Sequence, residues 1–129
     1  MRRLKKLFRA FRPVYKVSLI VVDRQNNGEP FPEEVWERIR AGLRELGCYT
    51  SYKTFGGWEE DGELIEEPGT LYYWIVQGTE KVQEIENFAR ELQEIQEQTS
   101  IYFEVQRISR KSVRFLTKAK THHLWDFED

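Results

Sequence analysis

A single cysteine, Cys48, stands in 129 residues, so an internal disulfide is excluded. That usage fits a reducing compartment. Beside Tyr49 in a β-like run, Cys48 reads as a small core residue, because a reactive thiol needs an electropositive pocket that no neighbour specifies. Long hydrophobic runs are missing too. The longest aliphatic stretch, Leu19 to Val22, is far too short to cross a bilayer. No apolar segment follows the basic start, so it does not read as a secretory signal, and a cytoplasmic location is expected. Two histidines only, His122 and His123, stand near Asp126 and Glu128 without the spacing of a metal site. No metal or other cofactor is expected. A phosphate-binding Gly loop, a Ser/His/Asp triad and a zinc ribbon are likewise absent.

What is present is aromatic and charged. Aromatic residues make up 14% and charged residues 33% of the chain, enough apolar mass for one core but not two. The formal charge of −2 hides segregation. Residues 1–12 hold six bases and no acid: Arg2, Arg3, Lys5, Lys6, Arg9 and Arg12. Residues 107–120 hold six more: Arg107, Arg110, Lys111, Arg114, Lys118 and Lys120. Between Asp23 and Glu104 there are 19 acids against seven bases. Such asymmetry speaks of partners rather than of fold.

Three regions follow from the patterning: a basic amphipathic segment at 1–13, a domain at 14–108, and a basic then acidic extension at 109–129. Leu4, Leu7, Phe8 and Phe11 fall on one helical face, and Pro13 ends that helix. Val14 to Asp23 is the first strand, with Tyr15, Val17, Leu19 and Val21 toward the core. A turn at Asn27-Gly28 leads to a helix opened by Pro32, Glu33 and Glu34, with Val35, Ile39, Leu43 and Leu46 buried and Gly47 closing it.

Cys48 to Phe55 reads as a second strand broken by Gly56-Gly57, and Asp61-Gly62 as a tight hairpin turn. Leu71 to Val76 is the third strand, apolar on both faces and hence expected to be covered on both. Thr79 caps a second helix from Glu80 to about Gln98, with Val82, Ile85, Ala89, Leu92 and Ile95 inward. Ile101 to Ile108 is the fourth strand, and Val113 to Leu116 a short fifth. The order β-α-β-β-α-β predicts an α+β fold: a ferredoxin-like sandwich, an antiparallel sheet with two helices on one face. Strands one and four are read as its central pair.

Pro32 and Trp36, then Gly56-Gly57-Trp58, Gly62, Glu67 and the apolar run from Leu71 form a pattern that resembles a group of small bacterial ferredoxin-like proteins catalogued as a domain of unknown function. The resemblance covers about residues 14–108 and leaves out both basic ends. It implies the fold and no particular activity.

Two functional readings come from the residues. In the first, the chain is a non-enzymatic binding and assembly module. It self-associates through the helix-free sheet face as a homo-oligomer. Its basic ends, Arg2, Arg3, Lys5, Lys6, Arg9, Arg12, Arg110, Lys111, Arg114, Lys118 and Lys120, engage an anionic partner: nucleic acid, a larger protein assembly or, through residues 1–12, a membrane surface. Strand three lacks the basic-Gly-aromatic signature of RNA-recognition motifs, so stacking of bases there is not expected. In the second, a small oligomeric enzyme or small-molecule binder uses a cleft at the hairpin. Trp58, Trp74 and Tyr102 would contact the ligand, and Glu67, Tyr52 and Tyr72 are the catalytic candidates, since a tryptophan beside a carboxyl desolvates it.

Overall fold

A computed structural model describes residues 12–116, 118 and 121–123; the amphipathic segment of residues 1–11 lies outside the described residues. The chain runs β1 (Val14–Val22), α1 (Glu33–Leu46), β2 (Thr50–Glu60), β3 (Glu63–Gln77), α2 (Thr79–Ile95) and β4 (Phe103–Ile108). A single 3-10 turn (Arg110–Ser112), β5 (Arg114–Leu116) and β6 (Thr121–His123) follow. The first four strands form one antiparallel sheet in the order β2-β3-β1-β4. This is the expected ferredoxin-like α+β sandwich. β1 and β3 are the central pair; β4 is an edge strand, not the partner of β1 at the centre.

Register decides which side chains meet the helices. Val17 lies opposite Trp74 and Val105, and Leu19 opposite Tyr72 and Phe103. Because alternate strand residues share a face, Trp74 and Tyr72 join Val17 and Leu19 on the helix side. Ile39 and Leu43 of α1 and Ile85, Phe88, Ala89 and Leu92 of α2 complete that core. Ser18, Ile20, Leu71, Tyr73, Ile75 and Glu104 form the other face.

Local chemistry places the ends of the elements. Gly47 ends α1 at φ 84°, and Gly78, at φ 85°, precedes α2 as its cap. Thr79 is therefore the first helical residue rather than the cap, and α2 stops at Ile95, three residues before the expected end. Glu80 at this positive helix end has its carboxyl held low, first by its own backbone N–H and then by the Arg12 guanidinium that pairs with it.

Gly42 marks the crossing of the two helices. A methyl group there would overlap the ring edge of buried Phe88. Alanine normally improves a helix interior by about 1 kcal/mol over glycine. Here overpacking of about 1–3 kcal/mol opposes that gain. Gly42→Ala is expected to lower the denaturant midpoint, and a raised midpoint would show that α1 and α2 can part without cost.

The β2–β3 hairpin departs most from expectation. Gly56-Gly57 does not break β2: pairing runs without interruption from Thr50↔Tyr73 to Glu60↔Glu63. Asp61 and Gly62 have φ of 51° and 82°, as a type I′ turn requires. β1 reaches only to Gly69, so residues 63–68 and their partners project about 20 Å beyond it as a two-stranded arm. Pro68 falls where the β1–β3 ladder ends: it donates no hydrogen bond, and its carbonyl accepts the last one, from the Asp23 N–H at 3.1 Å. Cys48 is exposed in the link before β2, which corrects its reading as a core residue. The expected fifth strand pairs with β6, in a stretch read as polar tail.

Candidate functional site

The type I′ turn sets the hairpin register, and the register sets the site. With Trp58 opposite Ile65 and Gly56 opposite Glu67, Trp58 and Glu67 share one face of the arm. That face continues the side of the sheet away from α1 and α2 through Thr54, Gly69 and Ile20, a side free of helix among the described residues. Gly69 lets the strands close up: a Cβ on it would stand 2.9 Å from Ile20 Cγ2 and 3.2 Å from both Thr54 Oγ1 and the Val21 carbonyl.

Opposite the arm runs the α2–β4 link. Glu97 turns the chain at φ 52°, and the Ile20 N–H donates to the Tyr102 carbonyl at 3.2 Å. Between arm and link lies a cleft of about 380 Å³, with Ile20, Val22 and Gly69 at its base and Trp58, Glu67 and Tyr102 among its walls. That volume falls within the range of small-molecule sites.

The polar groups of the cleft are few. Burial pushes the Glu67 carboxyl above the ordinary range. The Tyr102 hydroxyl donates to Glu104 Oε2 at 2.9 Å, which holds the phenol proton on, with nearby Tyr52 adding to the effect. Gln96, 2% exposed, donates from Nε2 to the Val22 carbonyl at 2.9 Å. Its Oε1 is buried with no partner among the described residues. An acceptor left so costs about 1–3 kcal/mol.

The sequence-predicted site residues divide. Trp58, Glu67 and Tyr102 come together, and Tyr52 lies on the same face beyond the cleft lining. Trp74 does not belong with them: at 1% exposure it is core on the helix side, so it is no ligand contact. Tyr72 is also on that side, against Tyr49 and Trp74, with the sheet between it and Glu67. Burial, then Tyr49 and Asp23, push its phenol up. This corrects its grouping with the Glu67 cleft. Gln96 and Gly69 were not anticipated; a Gly in a strand pattern does signal close backbone approach, whereas nothing in sequence marks Gln96.

Of the basic candidates, Arg12 and Arg110 line one hollow with Arg107, where the chain enters β1 and leaves β4. Lys111, Arg114 and Lys118 are exposed. Arg2, Arg3, Lys5, Lys6, Arg9 and Lys120 lie outside the described residues. Among the described residues, no three His, Cys, Asp or Glu side chains gather as metal ligands, and no helix is long and apolar enough to cross a membrane.

The raised Glu67 carboxyl has a pH consequence. In the folded chain it keeps its proton to higher pH than in the unfolded chain. Its contribution to stability is thus present below the ordinary carboxylate range and lost as pH rises through the folded value. Glu67→Gln removes that loss. The variant is expected to melt above the parent at pH 7, by the about 0.5 kcal/mol or less of a surface change, and level with it near pH 4. Melting curves that differ equally at both pH values would contradict this.

No family model matches the sequence, and no curated protein matches it significantly. Solved structures share the fold. One is a phage SAM lyase in complex with S-methyl-5′-thioadenosine, at 16% identity and TM-score 0.57, covering 73% of this chain and 81% of that one. Another is the periplasmic divalent cation tolerance protein CutA from Archaeoglobus fulgidus, at 15% identity and TM-score 0.50, covering 75% and 85%. At such identities the likeness establishes the fold.

Proposed function

We propose that the chain is a homo-oligomeric binder of a small molecule held in the Trp58–Glu67–Tyr102 cleft. The cleft itself carries this reading: a concave space with apolar base, two half-exposed aromatic rings and one carboxyl. That a lyase of the same fold holds a thionucleoside adds weight, since aromatic walls suit a flat base. Self-association is supported by the helix-free sheet face, where Leu71, Tyr73 and Ile75 remain only half-buried and Tyr52 is exposed.

S-methyl-5′-thioadenosine is the first probe. Binding followed by calorimetry is expected to weaken at least about tenfold in Trp58→Ala, the scale of a lost stacking contact. Equal affinity in that variant would move the ligand out of this cleft.

A second reading rests on the hollow lined by Arg12, Arg107 and Arg110. Because Tyr15 pairs with Arg107 and Val14 with Ile108, the entry to β1 and the exit from β4 lie side by side, which brings Arg12 beside Arg107 and Arg110. An anionic partner, a nucleic acid among others, would bind there with salt sensitivity as its mark. An oligonucleotide that shifts the light-scattering mass at low salt and not at high salt would favour it over the cleft.

A further inference from the structure

The cleft's electrostatics deepen the small-molecule reading and rest on it. Among the described residues lining the space, Glu67 is the one charged side chain; no Lys, Arg or His joins it. β2 and β3 together contain a single base, Lys53. It lies on the other face, with Nζ 3.5 Å from Asp23 Oδ2 and 3.0 Å from Thr70 Oγ1. The arm around the cleft adds Glu59, Glu60, Asp61, Glu63 and Glu66, all exposed. An anionic ligand would be repelled by this field, and a neutral one would leave Glu67 unpaired.

The rings point the same way. Trp58 is 46% and Tyr102 49% exposed, leaving aromatic faces open to a ligand. Aromatic faces attract cations, and the attraction grows when the cation is desolvated.

We infer that the cleft selects a small organic cation, an onium or ammonium group set between the Trp58 and Tyr102 rings and neutralised by Glu67. A lone carboxylate opposite one positive charge gives a neutral filled site, which removes the cost of leaving Glu67 partly desolvated and unpaired.

Matched probes test the charge directly. Choline and 3,3-dimethylbutan-1-ol share a shape and differ in charge. S-adenosylmethionine and S-adenosylhomocysteine differ by one methyl and one positive charge. Binding is read from the Trp58 indole N–H resonance, assigned by its loss in Trp58→Phe. In at least one pair the cation is expected to bind about tenfold or more tightly, with the preference falling to about twofold or less in Glu67→Gln. Equal binding by the neutral members overturns the charge inference and leaves the cleft standing. A preference that persists in Glu67→Gln assigns it to the acidic arm and likewise overturns the inference. If no probe moves the resonance, both the inference and the small-molecule reading fail.

Discussion

Trp74→Ala is expected to remove about 3–5 kcal/mol of stability, the cost of emptying a large aromatic site in a packed core. The indole is 1% exposed, faces Val17 across the β1–β3 ladder and stacks on Tyr72. Domains of this size hold only about 5–15 kcal/mol in total, so a large share of the molecules would unfold on mild warming. Trp74→Phe should cost far less than its volume alone suggests. The Trp74 Nε1 donor is buried without a partner, and phenylalanine discards that unsatisfied group along with the lost contacts. Trp58→Ala, at a half-exposed ring on the arm, is expected to stay within about 0.5 kcal/mol of the parent. Denaturant midpoints for the three variants check the order. A Trp58 variant as damaged as Trp74→Ala would mean that the arm is part of the core.

That contrast shows what the sequence could and could not disclose. Trp74 stands in a β-like run and Trp58 just past the expected break at Gly56-Gly57, and both read as ligand contacts. Strand alternation sorts Leu71, Tyr73 and Ile75 from Tyr72, Trp74 and Val76, but each set is apolar, so pattern alone cannot say which meets the helices. The register of β3 on β1, a long-range pairing, makes that choice. The same pairing moves Tyr72 away from Glu67.

The arm was more legible because its order is local. Asp61-Gly62 fixes the turn, the turn fixes the register, and the register places Trp58 and Glu67 on one face. Gly56-Gly57 reads as a break because glycine weakens a strand and offers no side chain to pack. In a projecting ladder backbone hydrogen bonds carry the pairing, and nothing must pack on either glycine. The far wall was beyond reach for the opposite reason. Gln96 enters the site only through the helix end and the left-handed turn at Glu97, and its pairing with the Val22 carbonyl spans most of the chain.

Charging the helix-free face should take an oligomer apart. In the double variant Tyr73→Asp, Ile75→Asp, two carboxylates would stand where half-buried apolar side chains now lie, and desolvating them in an interface costs several kcal/mol. A stable association buries about 800 Å² per partner, and the centre of such a patch carries most of its energy. The light-scattering mass is therefore expected to fall to the 15.6 kDa of one chain. Ionic strength separates the two ways in which copies could join. Basic ends docked on the acidic body of a neighbour would let go in salt, because exposed charges are screened beyond about 10 Å at 0.1 M. Apolar sheet faces would hold or tighten, since salt also quiets the repulsion between acidic middles with 19 acids against seven bases. An oligomer that survives both salt and the double variant would place the contact on neither surface. A parent chain already at the single-chain mass would end the homo-oligomer reading and leave each cleft to work alone.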